Sequence, residues 1–281
     1  MKKHNLTILW SSLLLLLPLG LKAQGYVKSV KMDGFIGQRI DACIEGRVKP
    51  QDANELVRQF KQQKETSLWQ SEFWGKWVQG AIDSYRYCHD KGLYEKIRQS
   101  VDGIIQCQLP NGYIGNYAES ARQTNWDIWG NKYTTLGLLA WYRLSGDKRA
   151  LKAASRLIDY VMSCVGDGKK AISNTGLYRG MPSLSILEPV TYLYRYTHDK
   201  KYLAFATYIA SQMEAGPHLI SYADHPVAQR WPLHKGDSWW SFANGQKAYE
   251  MMSCYEGLVE LWKLTGDSNY LHVAELRSAI S

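Results

Sequence analysis

One short pattern occurs four times along the chain and limits the folds that the chain can adopt. Each copy has an aromatic residue, a cation, two further residues, Gly or His, and then Asp. Gly at this position takes the left-handed conformation that ends a helix, and Asp caps the helix that follows. The copies end at Asp90, Asp147, Asp199 and Asp267. Each copy therefore predicts a helical hairpin, which is a helix, a tight turn and a second helix.

Long connections separate these hairpins. The four Asp residues lie 57, 52 and 68 positions apart, whereas common helical repeats have periods of about 33 to 47 residues. The flanking segments, such as "YTTLGLLAWYRL", carry apolar residues at helical spacing. With tight turns at one end and long loops at the other, we predict an all-α fold, an α/α toroid of helical hairpins of the (α/α)6-barrel type. The helices that start from the long loops would form an inner ring with their N-termini at a pocket.

Residues 1–23 have the features of a secretory signal peptide. A basic start, "MKKHN", precedes the apolar run "LTILWSSLLLLLPLGL", and the small residue Ala23 follows. We predict cleavage after Ala23, a periplasmic or secreted protein without a membrane partner, and one domain over residues 24–281. The formal net charge of +8 is spread along the chain with no basic run among aromatic residues, so nucleic acid is not an expected partner.

The predicted loops are rich in aromatic residues that carry a polar group. The chain has 11 Trp and 19 Tyr but only 5 Phe. Flat rings beside Asp, Asn, Gln and Arg suit a sugar, whose C–H face stacks on a ring while its hydroxyls form hydrogen bonds. We predict a carbohydrate substrate; the alternative is that the rings only wedge loops onto the helices. The predicted substrate-binding residues are Tyr113, Trp126, Asp127, Trp129, Trp239, Trp240, Gln246 and Tyr249.

Three acidic residues near these loops are candidates for a general acid, a general base or a nucleophile. They are Asp127, Glu188 and Glu250. Each has an alternative structural role, since Asp127 could cap a helix and the two Glu residues could pair with an Arg such as Arg179. No spacing favours one pair, so the sequence leaves the catalytic residues open.

The five cysteines are scattered and form no CxxC motif, which indicates buried small residues and not a disulfide framework. Cys254 is the candidate metal ligand because Glu250 lies four residues before it, on the same helix face. Together with His272 or another Cys, these two residues could bind zinc.

Four blocks of the chain together resemble glycoside hydrolase family 127, the β-L-arabinofuranosidase-like group of secreted enzymes. The blocks are "FWGKWVQGA" (73–81), "LPNGYIGNY" (109–117), "KYTTLGLLAWYRLSGDKRAL" (132–151) and "YEMMSCYEGLVELWKLTGD" (249–267). The resemblance runs from about Gly34 to the end of the chain. It implies an (α/α)6 barrel followed by β-sandwich domains and exo-hydrolysis of plant-cell-wall sugars. It also implies a Cys nucleophile held on zinc by Glu and Cys, with a Glu as acid/base.

The chain departs from this family pattern in its metal site. The family's Glu-Thr-Cys motif and later Cys pair belong to hairpins after the fourth, although a second alignment places that motif on Met252–Cys254 without the Glu. Where the family has His at the starts of inner helices, this chain has Gly130-Asn131-Lys132, Met181-Pro182 and Gln246-Lys247. We therefore expect the N-terminal part of a hydrolase, with its nucleophile beyond the chain end and about four hairpins. Zinc is possible in the full-length enzyme and not assignable in this chain, and the sugar could be acidic.

Three functions are open at this point. The first is a secreted glycoside hydrolase of the family 127 type, acting on plant-type polysaccharide side chains. The second is a non-catalytic glycan-binding or scaffold fragment that keeps the helical shell. The third is a metal-independent enzyme like the unsaturated glucuronyl hydrolases, which would use Asp carboxylates such as Asp127.

Overall fold

The computed structural model describes residues 30–225 and 247–278. These residues are largely helical, and the described ranges contain two isolated β-bridges but no strand. The helices are α1 (Gly34–Cys43), α2 (Ala53–Gln62), α3 (Glu72–Cys88), α4 (Lys91–Gln106), α5 (Asp127–Ser145), α6 (Lys148–Cys164), α7 (Met181–Leu184), α8 (Leu187–Thr197), α9 (Lys200–Ala215), α10 (Ala248–Thr265) and α11 (Ser268–Ser278). None of these described helices combines the length and apolar character needed to cross a membrane. The predicted signal peptide lies outside the described residues.

The four predicted hairpins are confirmed, and their turns have the predicted geometry. His89, Gly146, His198 and Gly266 all take left-handed backbone conformations, with φ of 54°, 75°, 54° and 73°. The Asp that follows each of them accepts a backbone N–H from the next helix at 2.8–3.0 Å. Each turn therefore ends one helix and starts the next within two residues.

A further hairpin precedes these four. Helix α1 continues into a π-helical turn, Ile44–Val48, and a short turn then leads into α2. Asp52 caps α2 by accepting the backbone N–H groups of Asn54 and Glu55. The sequence pattern missed this hairpin because no Gly or His precedes its Asp, so the described residues contain one hairpin more than expected.

The hairpins form two layers. In the inner layer α3 packs on α5, α5 on α8 and α8 on α10. In the outer layer α2, α4 and α6 lie side by side, α9 packs on α8, and α11 packs on α10. In the four predicted hairpins one helix lies inside and its partner outside, which is the order of an α/α toroid, so the predicted all-α fold is confirmed.

The inner helices begin close to the predicted positions, with two differences. Helix α5 starts at Asp127, a few residues before the expected start at Gly130-Asn131-Lys132, so residues 130–132 lie in its first two turns. The next inner helix is interrupted after Leu184 and resumes at Leu187 as α8. Pro189 lies in the first turn of α8, where its missing N–H is tolerated.

The contact between α3 and α5 is unusually close because glycines lie in it. A Cβ at Gly75 would lie 2.1 Å from the carbonyl oxygen of Tyr133. A Cβ at Gly137 would lie 2.6 Å from a methyl group of Val78 and 2.7 Å from the ring of Trp74. Glycine at these positions lets the two backbones approach, which brings the N-terminal ends of both helices to one place.

Replacing Asp147 by Ala tests the turn chemistry and is expected to lower the free energy of unfolding by about 1 kcal/mol. Asp147 accepts the backbone N–H of Arg149, and the Arg149 guanidinium holds the pKa of Asp147 below its ordinary value. Stability from a lowered carboxyl pKa is present above the unfolded-state value of about 4 and is lost as pH falls through the folded-state value. Urea denaturation should therefore show that the variant loses free energy of unfolding at pH 7, and this loss should become smaller as the pH falls into the acid range. The exposed Asp167→Ala is the control, and an equal loss there would contradict the capping role.

Candidate active site in an aromatic cavity

A cavity of about 290 Å³ lies where the N-termini of three inner helices meet the long loops. Helix α3 contributes its first residue, and α5 and α10 contribute residues around their first turns. The remaining wall comes from the loop before α3 and the turn before α7. The cavity is lined by Trp69, Glu72, Trp126, Trp129, Tyr178, Lys247, Tyr249 and Glu250. We call it the aromatic cavity, since five of its eight lining residues are Trp or Tyr.

Four predicted site residues lie in the aromatic cavity together: Trp126, Trp129, Tyr249 and Glu250. The rings of Trp126 and Trp129 meet edge to face at 5.9 Å, and those of Trp129 and Tyr249 at 5.5 Å. The hydroxyl of Tyr249 lies 2.7 Å from that of Tyr133 on α5. Residues from distant parts of the sequence therefore build one connected aromatic wall.

The rings differ in how much surface they present. Trp129 is 1% exposed, so it lines the cavity with little accessible ring surface. Tyr249 is 50% exposed and Trp69 is 44% exposed, so both have ring surface free for a ligand. Trp69 also contacts Trp126 edge to face at 6.0 Å. Sequence reasoning missed Trp69, although the block "FWGKW" that follows it marks the start of α3.

Two carboxylates face the aromatic cavity, and only Glu250 was predicted. One oxygen of Glu72 lies 2.9 Å from the Lys76 ammonium, and the other accepts the indole N–H of Trp129. Glu250 is 2% exposed; its Oε1 lies 3.7 Å from the Lys247 ammonium, whereas its Oε2 is buried without a hydrogen-bond partner. Burial raises the pKa of Glu250, and the charge of Glu72 adds to that shift. The Oε2 atom of Glu250 is therefore an acceptor that is available to a ligand in the cavity.

Lysine ammonium groups lie against the aromatic rings of the cavity. Lys76 lies 4.8 Å from the ring centre of Tyr133 and 5.0 Å from that of Tyr249. Lys247 lies 5.6 Å from the ring centre of Trp126 and 5.4 Å from that of Tyr178. The cations hold the rings in place and balance the two carboxylates of the cavity.

Tyr113 and Asp127 lie behind the cavity wall and not in it. The Tyr113 hydroxyl donates to Asp127 at 2.7 Å, and the backbone N–H of Gln123 donates to the other carboxylate oxygen at 2.8 Å. Both side chains are buried, and burial raises the pKa of Asp127 to about 6. Their contacts fix the loop onto the start of α5, and neither of these two predicted substrate-binding residues lines the aromatic cavity. The sequence "PNGYIGNY" could not show that its first tyrosine points inward.

Glu188 also lies away from the aromatic cavity. It pairs with the buried Lys132 at 3.4 Å, and not with Arg179. Burial raises the pKa of Glu188, and the Lys132 charge opposes that shift. Glu188 lines a different cavity of about 350 Å³ between the inner helices, near Arg143 and Arg195. The three candidate carboxylates are therefore not brought together, and Glu250 alone remains next to the predicted rings.

Cys254, which the spacing from Glu250 made a candidate zinc ligand, does not line the aromatic cavity. Its thiol is fully buried and donates to the carbonyl oxygen of Met181 at 3.3 Å, and burial raises its pKa. Within the described ranges no three His, Cys, Asp or Glu side chains are grouped as a metal site would require. His272 is exposed on α11. Trp239, Trp240 and Gln246, which were also predicted site residues, lie outside the described residues.

Comparisons with known proteins agree with this architecture. A structure of a GH127 β-L-arabinofuranosidase from Geobacillus stearothermophilus T6 superimposes with a TM-score of 0.55 at 16% identity, covering 88% of this chain and 44% of that one. A second GH127 β-arabinofuranosidase gives 0.56 at 20% identity, with 88% and 41% covered. At these identities the likeness establishes the fold alone. The chain spans less than half the length of these structures.

The family profile is more specific. No curated protein matches the chain. The profile of the family described as β-L-arabinofuranosidase, GH127 catalytic domain, matches residues 28–238, which is well over half of the chain. The match contains α1–α9 and ends before α10, so it includes the Trp69–Trp129 part of the aromatic cavity. The chain therefore belongs to the GH127 β-L-arabinofuranosidase catalytic-domain family of glycoside hydrolases.

Proposed function

We propose that the aromatic cavity binds the terminal sugar of a plant-type polysaccharide side chain, and that the protein is an exported glycoside hydrolase that releases this sugar. The observation that carries the proposal is the set of five Trp and Tyr rings around two carboxylates in one cavity. A volume of about 290 Å³ suits one or two monosaccharide units and not a long glycan lying in a groove. The family name points to a β-L-arabinofuranosyl unit as the first sugar to test.

The chemistry of the lining supports a sugar over an apolar ligand. Exposed ring surface on Trp69 and Tyr249 suits the C–H face of a sugar ring. The carboxylates Glu72 and Glu250 and the ammonium of Lys247 supply acceptors and donors for its hydroxyls. An apolar ligand would leave these polar groups without partners, at a cost of about 1–3 kcal/mol each.

The alternative functions have less support. An enzyme of the unsaturated glucuronyl hydrolase type would need Asp127 at the substrate, but that carboxylate is buried behind the wall. A non-catalytic glycan-binding fragment would use the same rings and would differ only in turnover. Release of monosaccharide from arabinan side chains or aryl L-arabinofuranosides, followed by chromatography, separates hydrolysis from binding alone.

Replacing Trp69 by Ala is expected to weaken binding of arabino-oligosaccharides about tenfold, which is ~1.4 kcal/mol. The reason is that this variant removes an exposed stacking surface while the buried rings remain. Isothermal titration calorimetry measures the dissociation constant. Phe73→Ala is the matched control, because Phe73 is similarly exposed, at 42%, and does not line the cavity. Equal effects of the two variants, or no sugar binding by the wild type, would contradict the proposed site.

We also propose export through residues 1–23, on the basis of their sequence pattern. N-terminal sequencing of the protein recovered from the cell exterior or periplasm is expected to begin at Gln24. A chain that keeps Met1 and remains inside the cell would contradict this part of the proposal.

A further inference from the structure

We propose that a second cleft, beside the aromatic cavity, binds an inner sugar unit of the glycan whose terminal sugar occupies that cavity. The cleft has a volume of about 270 Å³ and is lined by Gln59, Gln62, Lys64, Glu65, Gln70 and Asn116. We call it the amide cleft, since four of its six lining residues carry a carboxamide. The choice of a glycan as ligand rests on the proposed function, but no residue lines both sites, so the two can be tested separately.

Two of the carboxamides have acceptor atoms that the described part of the chain leaves unbonded. Oε1 of Gln70 and Oδ1 of Asn116 are buried, and no described residue donates a hydrogen bond to either atom. The whole Asn116 residue is only 3% exposed. About nine in ten buried polar groups in proteins have a hydrogen-bond partner. Two such oxygens in one cleft therefore indicate a partner that comes from outside the chain.

The lining of the amide cleft favours a neutral ligand that is rich in hydroxyl groups. A carboxamide has N–H donors and a carbonyl acceptor, and a sugar hydroxyl both donates and accepts, so the two groups are matched. The last torsion of an Asn or Gln side chain is broad, which lets its oxygen or its NH2 group turn towards the ligand. The two charged lining residues, Lys64 and Glu65, have opposite signs, so the cleft favours neither an anion nor a cation.

Hydrogen bonds hold the loop that forms one wall of the amide cleft. Oε1 of Glu65 accepts the backbone N–H groups of the next three residues at 2.8–3.0 Å. The backbone N–H of Glu65 donates to the carbonyl oxygen of Asn116 at 3.0 Å, and the carbonyl oxygen of Gln70 accepts the N–H of Phe73 at 3.1 Å. The backbone on both sides of the cleft is therefore fixed before a ligand arrives, which reduces the entropy lost on binding.

The amide cleft and the aromatic cavity share the loop before α3. Trp69 lines the aromatic cavity, and the next residue, Gln70, lines the amide cleft. The Cα atoms of two consecutive residues joined by a trans peptide are about 3.8 Å apart, so the two sites are neighbours. A glycan whose terminal sugar stacks on Trp69 therefore has its next units beside the amide cleft. No Trp or Tyr lines this cleft, so it adds affinity through hydrogen bonds and not through ring stacking.

Apolar variants of similar shape test the amide cleft. Gln70→Met and Asn116→Leu are each expected to weaken binding of a thio-linked β-L-arabinofuranosyl trisaccharide about fivefold, which corresponds to one lost hydrogen bond. Isothermal titration calorimetry measures this, and the sulfur linkages prevent hydrolysis during the titration. Binding of methyl β-L-arabinofuranoside, which occupies only the aromatic cavity, should be unchanged. Gln106→Met is the control, because Gln106 is exposed at the end of α4 and does not line the cleft.

The melting temperature provides a second readout. Both variants should keep the wild-type value, because the two buried oxygens bond to no described residue. A lower melting temperature together with unchanged trisaccharide binding would assign the carboxamides to packing and overturn the proposed site.

The outcomes separate this inference from the proposed function. If the wild type binds the methyl glycoside but binds the trisaccharide no more tightly, or if neither variant weakens trisaccharide binding, the amide cleft holds water only and the proposed function stands. If both variants weaken trisaccharide binding and the methyl glycoside does not bind, the amide cleft is supported and the role of the aromatic cavity is contradicted. A wild-type protein that binds neither probe overturns both. Equal weakening by Gln106→Met would also overturn the amide cleft as the site.

Discussion

Lys132→Met is expected to lower the free energy of unfolding by about 3–5 kcal/mol at neutral pH. Lys132 is 1% exposed and lies 3.4 Å from Glu188 and 5.4 Å from the ring centre of Trp129. Removing its ammonium leaves the Glu188 carboxylate buried without its cation. Burial already raises the pKa of Glu188, so the variant should raise it further. Denaturant unfolding monitored by tryptophan fluorescence gives the loss directly.

The pH dependence of this loss provides a second check. A carboxyl with a raised folded-state pKa contributes its stability fully below the unfolded-state value of about 4.3 and loses it as pH rises through the folded-state value. The loss in Lys132→Met should therefore be largest near pH 7 and small near pH 4. The double variant Lys132→Met with Glu188→Gln should recover most of the stability, because no charge remains buried. Lys263→Met, which breaks a partly exposed pair with Glu260, should cost less than about 1 kcal/mol.

Gly75→Ala is expected to lower the free energy of unfolding by about 2–3 kcal/mol, although alanine is the better helix former. The new methyl group would lie 2.1 Å from the carbonyl oxygen of Tyr133, so the backbones of α3 and α5 must separate. That separation would also move Glu72 and Lys76 relative to Trp129. We expect the variant to bind arabino-oligosaccharides more weakly, and calorimetry on the folded protein measures this.

Gly80→Ala is the matched control for this prediction. Gly80 lies in the same helix, is exposed, and has nothing within 4 Å of the position that a new methyl group would take. Alanine there should leave stability unchanged or raise it by up to about 1 kcal/mol. Equal effects at the two positions would contradict a steric role for Gly75 and would mean that the two helices can move apart without cost.

The fold was predictable because the turn residues act locally. His89 and Gly146 end their helices, and Asp90 and Asp147 begin the next ones, through backbone geometry and hydrogen bonds that span only a few residues. The hairpin formed by α1 and α2 has the Asp cap without the preceding Gly or His, so the pattern could not find it. The pattern therefore predicted each hairpin whose turn has both the Gly or His that ends the first helix and the Asp that caps the second.

The site was less predictable, because its geometry depends on contacts between distant segments. Trp126, Trp129 and Tyr249 were predicted from loop position and ring chemistry, and they do share a cavity. Tyr113 satisfies the same sequence criteria and points inward, since the buried Asp127 accepts its hydroxyl. Glu72 was missed because its importance comes from the close packing of α3 on α5, which no spacing within α3 shows.

The hydroxyl contact between Tyr133 and Tyr249 joins residues 116 positions apart, and it has a kinetic consequence. Each hairpin closes a short loop and can form early, whereas this contact must wait until α10 reaches α5. The cavity is therefore among the last parts of the molecule to be completed during folding. A ligand bound in the cavity would slow the unfolding of α10. The last hairpin would therefore stay folded for longer when the cavity is occupied.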